Sequence, residues 1–188
     1  CVDPELRRAQ REKLGLASED LLLVHAGKLA PNKGVGVLIE AFASAGAGPA
    51  QLLIIGAGEP AYEAELDRLI AARGLSGRVK RLPFLSTVEL NAYFNAADLG
   101  LWPGNPSIVI QEALCAGLPV IIQDHPTVKH LVAYENGLLV EKDSVASLTG
   151  ALVRLTADPE ARARMGQASR QLILDHHTYE RISDEFLR

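Results

Sequence analysis

Residues 103–120, PGNPSIVIQEALCAGLPV, contain the features that decide the fold. One apolar run ends just before them at Trp102, and another begins at Val120. Between these runs, apolar residues and a glycine recur at roughly helical spacing (Ile108, Ile110, Ala113, Leu114 and Gly117). Gly117 followed by Pro119 is typical of a helix end. The segment therefore predicts a strand, a loop, a helix and a second strand.

The start of this helix is a candidate binding site. Asn105-Pro106-Ser107 predicts a capping start whose backbone N–H groups face outward. A helix start at the carboxyl end of a parallel strand attracts anions, above all phosphate. Glu112 follows within the helix, and carboxylates are seldom buried without a partner. Glu112 therefore either binds a ligand hydroxyl or lies on a solvated face.

Composition restricts the function classes. The chain has 188 residues, 48% of them apolar, and a net charge of −4, which suit one α/β domain or one lobe of a larger enzyme. This charge argues against nucleic acids and anionic membranes as general partners. No transmembrane segment or signal peptide is recognisable, and two cysteines (Cys1 and Cys115) are too few for a disulfide framework. Because the chain begins at Cys1 rather than Met, we interpret it as part of a longer protein.

Short apolar runs alternate with helical patterns along most of the chain. Strands are predicted at residues 20–26, 52–55, 79–82, 98–102, 120–122 and 137–140, and helices follow at 144–157, 159–174 and from Tyr179. This order predicts an α/β, Rossmann-like fold with a doubly wound, mostly parallel six-stranded sheet and extra C-terminal helices. Ligands bind such sheets at the carboxyl ends of the strands, where the loops 27–34, 56–60, 84–87, 103–107 and 123–127 would lie.

Two lysines lie in the first of these loops, GKLAPNKG. Lys28 and Lys33 could form a cradle for a diphosphate together with the outward-facing helix start, and no metal ligands are needed. The alternative is that both are simply solvated. That reading suits Lys28 taken alone, whereas the position of Lys33 before Gly34 favours a functional role.

Other motifs are weaker. Residues 56–61, GAGEPA, half-match a dinucleotide-binding fingerprint but lack its third glycine, so a tight turn explains them better than an NAD site. Pro60 also argues against that motif. The five histidines show no metal-ligand spacing, and His25 is predicted to be a core or strand-end residue.

Taken in order, the motifs resemble the C-terminal, donor-binding lobe of GT-B glycosyltransferases of the group 1 family. The similar segments are Val2-Asp3, GKLAPNKG, LLIIGAGEP, VKRLPFLSTVELNAYFNAADLGLWP, PSIVIQEALCAGLPVI, ENGLLV and DPEARARMG. They cover nearly the whole chain with compatible spacing. Their combination is more specific than any one of them.

The resemblance implies a role for particular residues. Lys28 and Lys33 would bind the donor diphosphate and stabilise it as it leaves, in the loop that begins at Gly27, and Glu112 would bind the ribose. Backbone groups would hold phosphate and sugar, and a strand end would meet the nucleobase (Pro106, Ser107, Ile108 and Val109; Pro83 and Phe84). The reaction would retain the anomeric configuration, without a bound metal or a cofactor.

The chain departs from the family pattern at four places. Gly104 stands where the first signature Glu would contact the transferred sugar, and Lys28 replaces an Arg, so a bidentate contact is lost. Lys129 replaces a usually acidic residue, and a late Trp is replaced around residues 177–179. The donor sugar therefore stays open.

We therefore predict a glycosyltransferase domain, residues 1–188, that binds a nucleoside-diphosphate sugar. The acceptor would bind an N-terminal lobe absent from this chain, so the chain alone would be inactive. We expect a cytoplasmic protein whose contact with a membrane, if it has one, is made by that lobe. The alternatives are a non-catalytic nucleotide-sugar-binding lobe and a nucleotide-sugar epimerase on the same scaffold.

Overall fold

A computed structural model describes residues 2–17 and 19–176. These residues form the strands β1 (Leu22–Ala26), β2 (Gln51–Ile55), β3 (Val79–Leu82), β4 (Leu99–Trp102), β5 (Val120–Gln123) and β6 (Gly137–Val140). The helices are α1 (Pro4–Leu14), α2 (Val35–Ala45), α3 (Pro60–Ala72), α4 (Thr87–Ala96), α5 (Val109–Cys115), α6 (Val145–Ala157) and α7 (Pro159–His176). Short 3₁₀ turns lie at Pro31–Lys33 and Lys129–Val132.

The strands form one sheet in the order β3-β2-β1-β4-β5-β6, and every pairing between them is parallel. The predicted six-stranded, doubly wound α/β fold is confirmed. The chain reverses direction across the sheet between β1 and β4. In sheets of this kind, a crevice opens at that reversal, outside the carboxyl ends of the strands.

Apolar side chains cover both faces of the sheet. Leu23 of β1 packs with α2, α3 and α6 on one face, whereas Leu22 and Val24 pack with α4 and α5 on the other. α7 contributes to both clusters through Met165 and Leu172. Strands that are buried on both faces need nearly continuous apolar runs, which is the pattern that the sequence shows.

Helix α1 is fastened to the start of β4 by charge. Asp3 caps the helix by accepting a hydrogen bond from the Leu6 N–H at 2.9 Å. The Asp98 carboxylate pairs with Arg7 at 2.6 Å and with the buried Arg11 at 3.2 Å. A half-buried acid shared by two arginines holds the N-terminal helix against the sheet.

Two expected helix starts are corrected. α5 begins at Val109 without a side-chain cap, not at residues 105–107. The first carbonyls to accept bonds in this turn are those of Ser107 and Ile108, whereas the Asn105 and Pro106 carbonyls accept from the Lys33 ammonium. α3 begins at Pro60, in the first-turn position that proline favours, so Pro60 does not argue against a helix-starting motif there.

Two further sequence predictions concern the end of the chain. The last helical piece from Tyr179 and the replaced Trp around residues 177–179 both lie outside the described residues.

We predict that Leu101→Ala lowers the free energy of unfolding by about 2–5 kcal/mol, because Leu101 is fully buried in the central strand β4. The matched control is Leu139→Ala on the edge strand β6, where Leu139 is 43% exposed and a smaller loss is expected. Urea unfolding followed by circular dichroism measures both. Equal losses would contradict this placement of the core.

Candidate active site

The site begins where β1 and β4 diverge. These strands pair only at Leu23↔Leu99 and Val24↔Gly100, whereas β1 and β2 pair over all five residues of each strand. Beyond Val24, side chains replace the missing backbone bonds. The Trp102 indole N–H donates to the Ala26 carbonyl at 2.8 Å. This bond keeps the ends of β1 and β4 connected where the crevice opens between them.

His25 makes the second of these bonds. Its Nδ1 lies 2.8 Å from the Leu101 carbonyl, which only accepts, so Nδ1 donates and the imidazole is the neutral tautomer with its proton there. The pKa of His25 is lowered to about 4, chiefly by burial and to a smaller extent by the nearby Lys33 ammonium, while the hydrogen bond to Leu101 acts in the opposite direction. His25 is therefore a neutral residue at physiological pH. Its Nε2 is buried and has no hydrogen-bond partner among the described residues.

The loops after β1 and β2 touch backbone to backbone. A Cβ atom at Gly56 would overlap the Gly27 carbonyl oxygen, so glycine is required for this approach. The Gly27 N–H donates to the Ile55 carbonyl at 3.0 Å. Glu63 of α3 secures the second loop by accepting from the Gly58 N–H at 2.7 Å. This bond, followed by a hydrogen bond from Arg81, keeps the pKa of Glu63 below its usual value.

Lys33 connects the loop after β1 to the loop after β4. Its half-buried ammonium donates to the Pro106 carbonyl at 2.6 Å and to the Asn105 carbonyl at 3.3 Å. No carboxylate in the described part of the chain forms an ion pair with it. An ammonium has three N–H donors, so one of them stays available to an anion.

The segment before α5 presents free backbone donors. Over residues 2–17 and 19–176, the N–H groups of Ser107, Ile108 and Val109 have no acceptor. The Ser107 hydroxyl lies beside Gly27, 3.4 Å from where a Cβ of that residue would be. These donors and the Lys33 ammonium therefore meet at the divergence of β1 and β4.

Glu112 lies one turn further along α5 and is half-buried. Its carboxylate forms no hydrogen bond or ion pair with any residue that the structure describes. Burial raises the pKa of Glu112. Burial also raises the pKa of the Cys115 thiol, with a smaller contribution from Glu112, so Cys115 has the character of an inert, structural thiol.

The structure thus brings together part of the predicted site. Gly27, Lys33, Pro106 and Ser107 are in mutual proximity, and Val109 and Glu112 follow on α5. Lys28 is exposed to solvent. The Ile108 side chain is also exposed (79%), but its backbone N–H, the group that the prediction concerned, is one of the free donors before α5. Pro83 and Phe84 follow β3, two strands away from β1, and do not belong to the group around Lys33.

Sequence reasoning missed the residues that shape the crevice. His25 is buried near the end of β1, as predicted, but the sequence did not indicate that its Nδ1 bonds to β4 or that its Nε2 lacks a partner in the described chain. In the sequence, Trp102 is only the end of an apolar run, and Glu63 is only a residue near a helix start. A polar residue inside an apolar strand is the one signal that pointed to His25. The bonds of all three depend on which strands and loops become neighbours.

Residues 2–17 and 19–176 lack the features of a metal site and of a membrane-spanning helix. No cluster of three or more histidine, cysteine or acidic side chains could hold a metal ion. No helix there has the length and apolar character needed to cross a membrane.

Comparison with known proteins agrees with this architecture. The model of the family described as glycosyl transferases group 1 matches residues 7–172. The solved structure of Anabaena HepE in complex with UDP and glucose superposes with a TM-score of 0.86 at 25% identity, covering 99% of this chain and 52% of that one.

Two relatives are similar in sequence. The GDP-mannose-dependent monoacylated alpha-(1-6)-phosphatidylinositol monomannoside mannosyltransferase of Corynebacterium glutamicum is 35% identical, over 89% of this chain and 46% of the relative. The D-inositol 3-phosphate glycosyltransferase of Jonesia denitrificans is 32% identical, over 90% and 43%. The chain thus spans a little under half the length of these two relatives.

The buried His25 makes a pH-dependent contribution to stability. Its folded pKa, about 4, lies below its ordinary value of 6.5, so the unfolded chain takes up a proton first as the pH falls. The contribution is fully present above pH 6.5 and is lost between pH 6.5 and 4. From this shift we expect a loss of about 3 kcal/mol over that range.

The measurement is urea unfolding between pH 4 and 7 for the wild type and His25→Asn, in which the amide can still donate to Leu101. His25→Asn should lack the loss of stability that the wild type shows between pH 6.5 and 4. The exposed His130→Asn should keep it, because His25 remains. An unchanged profile in His25→Asn would show that the imidazole is not buried in its neutral form.

Proposed function

This chain belongs to the group 1 glycosyltransferases, and from that premise we propose that it is the donor-binding lobe of such an enzyme. In this proposal it binds a nucleoside-diphosphate sugar, whose sugar the whole enzyme transfers to an acceptor with retention of configuration. The acceptor is held by a lobe outside residues 1–188, so this chain alone carries out no transfer.

The observation that supports the proposal is a pair of half-buried charges that lack ionic partners in the described chain. The Lys33 ammonium and the Glu112 carboxylate are both half-buried, and neither has an ionic partner in the described chain. Keeping such charges unpaired is costly unless a ligand supplies their partners. A ligand with both an anionic group and hydroxyl donors satisfies them, and a nucleoside diphosphate has both.

The layout of the sheet suggests how this ligand lies. Its diphosphate accepts hydrogen bonds from Lys33 and the free N–H groups of residues 107–109, and its ribose hydroxyls donate to Glu112. Adjacent strands are about 4.8 Å apart, so the end of β3 is roughly 10 Å from β1. There, Phe84 is 77% exposed and offers an aromatic face to a nucleobase.

The same groups assist the transfer. The bond between the anomeric carbon and the diphosphate breaks, and the diphosphate leaves with the electron pair. The acceptor oxygen then forms a bond to the anomeric carbon on the same face, and the proton of its hydroxyl passes to the departing diphosphate. Negative charge therefore grows on the diphosphate, where Lys33 is already held by two carbonyls. A donor fixed in this way stabilises the developing charge without a reorganisation cost.

The relatives support the ligand class. One bears a name that specifies GDP-mannose, and Anabaena HepE is solved with UDP and glucose. Both ligands belong to the chemistry of nucleoside-diphosphate sugars, but they differ in base and sugar. We therefore propose the ligand class, and the titration below identifies the base.

A non-catalytic nucleotide-sugar-binding lobe is the second candidate, favoured by Gly104 and Lys129 at positions where the family pattern has acids. The two candidates differ in the full-length protein. The enzyme transfers sugar and loses this activity in Glu112→Ala, whereas a non-catalytic protein binds nucleotide and transfers nothing.

We predict that Lys33→Ala weakens binding of a nucleoside diphosphate by about 10–100-fold, the effect of losing one charge-assisted hydrogen bond. Calorimetric titration with UDP, GDP and ADP, each beside its nucleoside, measures this effect. The nucleoside should bind variant and wild type equally. Lys13→Ala, at an exposed position of α1, is the matched control. Equal affinity of Lys33→Ala and wild type for the diphosphate would remove Lys33 from the site.

Glu112→Ala should show a different pattern. Because the ribose is common to both ligands, this change should weaken nucleoside and nucleoside diphosphate alike, by about tenfold or more. The exposed Glu160→Ala on α7 serves as its control. Calorimetry that finds both affinities unchanged in Glu112→Ala would contradict a ribose contact.

A further inference from the structure

The loops after β1 and β4 meet through two buried glycines. A Cβ atom at Gly34 would lie 3.0 Å from the Gly104 nitrogen and 3.1 Å from the Pro103 carbonyl carbon. Conversely, a Cβ atom at Gly104 would overlap the Lys33 carbonyl group and lie 2.6 Å from the Gly34 nitrogen. The obstacles are backbone atoms rather than the ends of flexible side chains. No side chain fits at position 104 unless one loop moves.

Hydrogen bonds join the same two segments. The Asn105 N–H donates to the Asn32 carbonyl at 2.8 Å. The Lys33 ammonium donates to Pro106 and Asn105, as described above. We call residues 32–34 and 103–106 together the loop contact. The same two segments set both the distance between their backbones and the position of the Lys33 ammonium.

We propose that Gly104 is a positioning residue for Lys33, an inference that rests on the proposed function. Gly104 lets the two backbones approach closely enough for the ammonium to reach the carbonyls at the start of the crevice. A side chain at 104 pushes the Lys33 backbone away, and the ammonium leaves its place beside the free N–H groups. Displacements of about 1 Å are enough to weaken such contacts severely.

Gly104→Glu is expected to have the opposite effect to the one that the family pattern suggests. That pattern has an acidic residue at position 104, so Gly104→Glu could be expected to restore a donor contact. In this chain, the backbone of Lys33 and Gly34 occupies the space of its Cβ. We expect Gly104→Glu to weaken diphosphate binding, as Gly104→Ala does.

The test is a double-mutant cycle on the 188-residue chain. Calorimetry compares wild type, Gly104→Ala, Lys33→Ala and the double variant, using whichever of UDP, GDP or ADP binds and its nucleoside. Gly104→Ala should weaken diphosphate binding about tenfold or more and leave nucleoside binding unchanged. In the Lys33→Ala background it should add nothing, because residues that act as a unit are not additive. Gly36→Ala is the matched control, since a Cβ there meets nothing within 4 Å.

Each other outcome has a distinct meaning. Wild-type affinity in Gly104→Ala, with a weakened Lys33→Ala, overturns this inference and leaves the proposed function intact. Additive losses also overturn it. A wild type that binds no nucleoside diphosphate overturns both.

A folding defect is tested separately by circular dichroism. If Gly104→Ala does not fold, Gly34→Ala adds a methyl group to the other side of the same contact and takes its place in the cycle. Because Gly34 has a φ of +72°, Gly46→Ala, at a glycine of φ +55° with open space around its Cβ in the described chain, controls for the backbone strain. Loss of the native spectrum in both variants overturns the inference, because the loop contact would then maintain the fold rather than place Lys33.

Discussion

The divergence of β1 and β4 is the constraint on which the rest of the structure depends. Two parallel strands that separate inside a core would leave the carbonyls of Ala26 and Leu101 unpaired, at a cost of about 1–3 kcal/mol each. The Trp102 indole and the His25 imidazole satisfy these two carbonyls. The sheet can therefore open at its topological reversal and stay buried. The loops that carry the candidate site enter through this opening.

The loops at this edge are held by backbone contact rather than by large side chains. Gly27 meets Gly56, and Gly34 meets Gly104, at separations that a Cβ atom does not allow. The Glu63 carboxylate, which accepts from the Gly58 N–H, and the Lys33 ammonium, which donates to the Pro106 carbonyl, then connect each loop to a neighbouring element. Binding groups on such a support are oriented before a ligand arrives, which lowers the entropy cost of binding.

Charge distribution separates the structural part of the domain from the candidate site. At the amino end of β4, Asp98 forms ion pairs with Arg7 and Arg11, and these pairs attach α1 to the sheet. At the carboxyl end, Lys33 and Glu112 stay half-buried and unpaired in the described chain. Half-buried charges without ionic partners lower the local stability, and such costs are expected at functional sites.

The sequence by itself determined the order of strands and helices, the bounds of β3 and β6, and the choice of Lys33 and Glu112 as candidates. These features follow from hydrophobic periodicity, flanking glycines and local motifs, which short stretches of chain encode. Only the tertiary structure decided that α5 begins at Val109, that His25 bridges two strands, and that Gly104 admits no side chain. Lys33 lies 72 residues from Asn105 along the chain, and such a contact exists only once the sheet has set its register.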